Sequence, residues 1–77
     1  MFELLKSVMS EVLLLDVDGV RPDALREDAG LDSLAVVELS MVLSQHHGIE
    51  VTDDELFELD TVAEIVALME QRKRTAA

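Results

Sequence analysis

A chain of 77 residues with no cysteine, one proline, three glycines and two aromatics (Phe2, Phe57) has the size of one small domain, residues 1–77, held together by apolar packing without disulfides or thiolate metal clusters. Seventeen acids against six bases give a net charge of −11, which excludes nucleic-acid binding, because phosphate contacts demand clustered Lys and Arg, and steers the chain toward basic partners. The hydrophobic share of 49% suits a folded core, while no apolar run approaches the about 20 residues of a membrane span or the about 7–15 of a signal peptide, so a soluble, cytoplasmic protein is expected.

Residues 2–15 place Leu5, Val8, Met9, Val12 and Leu13 at helical spacing, with Glu3, Lys6, Ser7, Ser10 and Glu11 between them, which predicts a first amphipathic helix. Asp16, Asp18, Gly19 and Pro22 break the period. A long loop to Asp32 follows, with a short turn of helix expected at 23–27. Periodicity returns from Ser33 to His47, where Asp32 is placed to cap the start and Gly48 to end the helix in the left-handed region. Thr52 with Glu55 and Thr61 with Glu64 match capping-box spacing, predicting a short helix at 53–58 and a longer one at 62–73. The last helix carries Val62, Ile65, Val66 and Met69 on one stripe, its Arg72, Lys73 and Arg74 suit the negative end of the helix dipole, and Thr75 to Ala77 are expected to be disordered. No segment alternates as a strand does. The expected fold is all-α: a small four-helix bundle of three longer helices and one short one, with a long loop between the first two.

Catalysis finds few candidates, since the chain has no Tyr, Trp or Cys and a bundle of this size has little room for a substrate cleft. The chain is read as a non-enzyme. His46 and His47 are adjacent, whereas metal ligands on a helix sit one turn apart; their expected role is to end the second helix, and no metal site is assigned. Asp16-Val17-Asp18-Gly19 has the look of a calcium loop, but the positions that need an oxygen ligand and a glycine hold Val20 and Arg21. It is read as a turn.

The informative segment is Asp28-Ala29-Gly30-Leu31-Asp32-Ser33-Leu34. A serine at the first position of a helix, just after the capping aspartate, presents its hydroxyl to the positive end of the dipole, which favours a phosphate ester. Along the helix that follows, Val36, Leu39 and Leu43 form one apolar stripe, and Leu34, Val37 and Met41 form a second on nearly the opposite side. A small bundle buries one stripe. The other is expected to be a docking face beside the serine.

At these residues the chain resembles acyl carrier proteins. The Gly-x-Asp-Ser-Leu signature stands as Gly30-Leu31-Asp32-Ser33-Leu34, followed by Val37-Glu38-Leu39, and the order helix, long loop, helix, short helix, helix agrees across nearly the whole chain. The resemblance implies that Ser33 receives 4′-phosphopantetheine from coenzyme A through a separate phosphopantetheinyl transferase. The arm's thiol then carries acyl groups as thioesters between fatty-acid or polyketide biosynthetic enzymes. It also implies a recognition surface at Asp32, Leu34, Val37, Glu38 and Met41 for acyl-transfer and ketosynthase-type enzymes with basic docking patches, the carrier acting as a monomer without membrane or nucleic-acid partners.

The chain departs from the family's usual pattern in two respects. The second helix has Glu38 as its one acid, with Ala35, Ser44, Gln45, His46 and His47 where acids or an aromatic are common, and Ala29 stands where a larger apolar residue is common. Peptidyl carriers more often have another residue where Asp32 stands, which favours an acyl cargo. The alternatives are a peptidyl or aminoacyl carrier, or an unmodified acidic helical adaptor docking on a basic partner.

Overall fold

The computed structural model describes residues 1–76, with side chains through Lys73. Four helices are present among them: α1 (Phe2–Glu11), α2 (Ser33–His46), α3 (Asp53–Phe57) and α4 (Val62–Ala76). The all-α bundle expected from the sequence is therefore the fold. α2 packs on α3, and α1 packs on both α2 and α4. The core they enclose is built from Leu5, Val8 and Met9 of α1, Val36, Leu39 and Leu43 of α2, Leu56 of α3, and Val62, Ile65 and Met69 of α4, with Ala29, Leu31, Ile49 and Val51 supplied by the connections. Each large side chain so buried contributes about 1.5–3 kcal/mol through removal from water.

α1 ends one turn earlier than its periodicity predicts. Val12 closes it, and Leu14 turns into the left-handed region at φ 56°. The run Val12 to Leu15 is apolar at every position, so continuing the helix would spread leucines all round it. The reversal lets Leu13 and Leu15 pack against the core while Val12 and Leu14 face solvent. That burial offsets the roughly 1–2 kcal/mol that a left-handed non-glycine residue costs.

The long loop also differs from expectation, for 23–27 forms turns and no helix. Leu25 makes an isolated antiparallel bridge with Thr61. The carbonyls of Pro22 and Ala24 accept from Ala63 N–H (2.7 Å) and Val62 N–H (3.0 Å). These are the first amides of α4, which no helical carbonyl can reach. Loop carbonyls thus do the work of a cap, and a turn of helix at 23–27 would have used them internally. Nearer α1, the Asp16 carboxylate accepts from Asp18 N–H at 3.0 Å, closing the turn that the sequence predicts there.

α2 stops where Gly48 enters the left-handed region at φ 66°, and Ile49 N–H then returns to Leu43 O at 2.9 Å. α3 is short and begins with a complete capping box: Thr52 N–H donates to Glu55 Oε1 (3.1 Å) and Glu55 N–H to Thr52 Oγ1 (3.2 Å). α4 starts with the equivalent exchange between Thr61 and Glu64. It runs past the expected 73 to Ala76, so the disorder expected from Thr75 is replaced by helix that far; Ala77 lies outside the described residues. Arg72, read from sequence as a partner of the helix dipole, instead pairs with the Glu55 carboxylate and donates to Glu50 O (3.2 Å), fastening α4 to α3.

Candidate functional site

Asp32 has extended backbone and is the N-cap of α2; its Oδ1 accepts from Ala35 N–H at 3.0 Å, and its carbonyl from Val36 N–H at 2.9 Å. Ser33 follows at the first helical position with its side chain exposed. Among the described residues, the Ser33 and Leu34 amides have no protein acceptor. An anion at the Ser33 hydroxyl therefore meets two free N–H donors and the positive end of a 14-residue helix. The donor set fits a phosphodiester at this oxygen.

The two apolar stripes of α2 part as the sequence predicts. Val36, Leu39 and Leu43 are fully buried, whereas Leu34 is 69%, Met41 52% and Val37 36% exposed. Glu38 is exposed on the same helix. Leu34, Val37, Glu38 and Met41 thus share the solvent side of α2 downstream of Ser33, with the exposed Asp32 at its start. Ser40, the next hydroxyl along the chain, is buried and donates to Val37 O at 2.8 Å.

Sequence reasoning missed the contribution of α3 and of the loop. Phe57 and Leu25 are exposed large apolar residues, and Arg26 sits 5.4 Å from the Phe57 ring centroid while donating to Leu31 O and Leu59 O. One signal pointed there: Arg21 and Arg26 are the only bases in an acid-rich loop. Arg21 pairs with Asp23 at the exposed surface, and Arg26 turns inward.

Electrostatics around the site follow from the capping chemistry. The Thr52 backbone N–H, with Arg72 and the Thr52 hydroxyl, holds the Glu55 carboxyl below its ordinary value, against a smaller opposing effect of desolvation. The backbone N–H groups of Asp60 and Thr61 do the same for Glu64. Residues 48–60 hold six acids and no base, so negative charge flanks α2 more than it covers it. His46 ends α2 and His47 caps it, both exposed. Among the described residues, no group of three or more His, Cys, Asp or Glu side chains is placed to hold a metal ion, and no helix is long and apolar enough to cross a membrane.

Comparison with known proteins agrees with this geometry. Residues 3–69 match the family model described as a phosphopantetheine attachment site. The chain is 41% identical over 73 residues to the acyl carrier protein of Helicobacter hepaticus, covering 94% of this chain and 96% of that one. It is 36% identical over 74 residues to the acyl carrier proteins of two strains of Helicobacter pylori, covering 95% of each chain.

Proposed function

The chain belongs to the acyl carrier protein family, and we propose that Ser33 bears its covalent 4′-phosphopantetheine. A phosphopantetheinyl transferase would join the Ser33 Oγ to the phosphorus next to pantetheine in coenzyme A. The bond from that phosphorus to the oxygen bridging the two phosphates breaks, the adenosine bisphosphate leaves with that oxygen, and the serine proton passes to a base of the transferase. The arm then supplies a thiol that holds acyl groups as thioesters, and its reach gives each partner enzyme a high local concentration of substrate. Ser33 is an attachment point: the catalytic groups belong to the partners, and this chain works as one cytoplasmic, monomeric carrier domain over 1–77.

The observation that supports Ser33 is its exposed hydroxyl beside two unpartnered amides, within a capped helix start. Ser40 lacks this access, being buried and bonded to Val37 O. Leu34, Val37 and Met41, flanked by Asp32 and Glu38, form the surface offered to the transferase and to acyl-transfer and ketosynthase-type enzymes of fatty-acid or polyketide biosynthesis. Exposed side chains of this size beside acids suit an apolar patch rimmed with bases on the partner.

The test is incubation with coenzyme A and a phosphopantetheinyl transferase, read by intact mass and by mapping of the modified peptide. Wild type gains one phosphopantetheine on Ser33, and Ser33→Ala gains none. Modification that persists in Ser33→Ala, at Ser44 for instance, overturns the assignment.

A further inference from the structure

Arg26 is one of six bases in this acidic chain, and its side chain is only 12% exposed. Its carbonyl accepts from Leu31 N–H at 3.0 Å, and its Nη1 donates to Leu31 O at 2.7 Å. Leu31 therefore has both backbone polar groups bound to a single residue, while its own side chain is fully buried. The Arg26 carbonyl also accepts from Ala29 N–H at 3.2 Å, and the remaining bonds of Arg26 lead to the α3–α4 connection: its N–H donates to Asp60 O at 2.8 Å and its Nε to Leu59 O at 3.4 Å, while its guanidinium lies 5.4 Å from the ring centroid of Phe57, the last residue of α3. The contact to the exposed Glu27 carboxylate, at 4.0 Å, adds little. A planar guanidinium fixes the direction of each bond it makes, which an ammonium on a flexible stem does not.

Leu31 directly precedes Asp32 and Ser33, so whatever holds its carbonyl also sets where α2 begins. We infer that Arg26 is a positioning residue for phosphopantetheine transfer, holding Leu31 against the α3–α4 connection and thereby fixing the Ser33 hydroxyl relative to the docking face. This rests on the reading of Ser33 as the acceptor. Displacement of a reacting atom by about 1 Å can slow a reaction about a hundredfold, even when the change lies away from the chemistry. The Leu34, Val37 and Met41 stripe lies outside these bonds. Loss of the fork should accordingly lower kcat of the transferase with this chain as substrate and leave KM in place. Removing a positive charge from an acidic carrier by itself favours docking on a basic partner, so an electrostatic effect would lower KM instead.

The experiment measures steady-state transfer from coenzyme A to the full chain as wild type, Arg26→Met, Arg26→Lys and Met69→Ala, with melting curves for each. Met69 is a fully buried α4 residue and serves as the control for lost stability alone. Arg26→Met is expected to lower kcat about tenfold with KM within about twofold, Arg26→Lys to fall between it and wild type, and Met69→Ala to keep the wild-type kcat below its melting temperature. If Arg26→Met is unfolded at the assay temperature, Arg26→Lys decides, with a kcat about threefold below wild type expected. Wild-type kcat in the folded Arg26 variants, or an equal fall in Met69→Ala, overturns the role of Arg26 and leaves Ser33 standing. A wild-type chain that takes no label at Ser33 overturns both.

Discussion

A Cβ built on Gly30 would stand 3.3 Å from Leu15 Cδ2, and Gly30 itself adopts φ +91°. Two constraints meet at this position: a backbone conformation that side chains rarely adopt, and a leucine sent inward by the early end of α1. Gly19, at φ +83° with open space for 4 Å around the place a Cβ would take, shares only the first. Gly30→Ala should therefore cost about 1–2 kcal/mol for the backbone and a further increment for displacing Leu15, so that it unfolds before Gly19→Ala in denaturant titrations. Equal losses at the two glycines would mean that Leu15 yields freely.

The two faces of α2 should separate by readout. Leu39→Ala empties a fully buried site and should destabilise the chain by about 2–5 kcal/mol. Met41, half exposed on the other face, should cost under about 1 kcal/mol when replaced by Ala and should weaken association with partner enzymes instead. Equal, large stability losses at both positions would make Met41 part of the core.

Asp32 and Ser33 are adjacent but do different work. Asp32→Ala removes the acceptor for Ala35 N–H and should lower stability by about 0.5–2 kcal/mol while slowing modification. Ser33→Ala should leave helix content and melting nearly unchanged, since Ala is a good helix former. Circular dichroism with the transferase assay checks both, and a Ser33→Ala variant that unfolds would give its hydroxyl a structural role.

Acids flank α2, so partner association should slow as salt rises and screening shortens the field to about 8 Å at physiological ionic strength. Charge reversal at Asp53, Asp54 or Glu58 should slow it much as Glu38→Lys does. Glu55 stands apart because its carboxylate is tied to Thr52 and Arg72, and reversing it should unfasten α3 as well. Stopped-flow rates that ignore salt would remove electrostatic steering from the account.

Glu55 and Glu64 have carboxyl groups held below their ordinary value of 4.5. A group whose folded value is depressed stabilises the fold fully above its unfolded value and loses that contribution as pH falls through the folded one. The stability gap between wild type and Glu55→Gln or Glu64→Gln should thus be constant at neutral pH and close below about pH 4.5. Denaturant titrations from pH 7 to pH 3 measure it, and a gap that widens in acid would reverse the sign of the argument.

How much was legible in the sequence depended on range. The Asp32 cap, the Thr52–Glu55 and Thr61–Glu64 boxes and the Gly48 stop each join residues within one helical turn, so spacing and residue type were sufficient to place them. The two stripes of α2 were equally readable, because helical periodicity sorts residues by face before any partner helix is known. Ser33 stood out as a candidate by its place just after the Asp32 cap and within the run Gly30-Leu31-Asp32-Ser33-Leu34. The early end of α1 at Val12, the turns at 23–27 and the inward course of Arg26 did not stand out. Each is decided by groups far along the chain: Arg26 reaches Leu59 across 33 positions, and the carbonyls of Pro22 and Ala24 are claimed by the start of α4. Local propensity in the loop is weak and its apolar residues are scattered, while the unbroken apolar run Val12 to Leu15 singles out no face, so long-range hydrogen bonds and burial against the finished core decide these segments, and they appear only once the chain has folded.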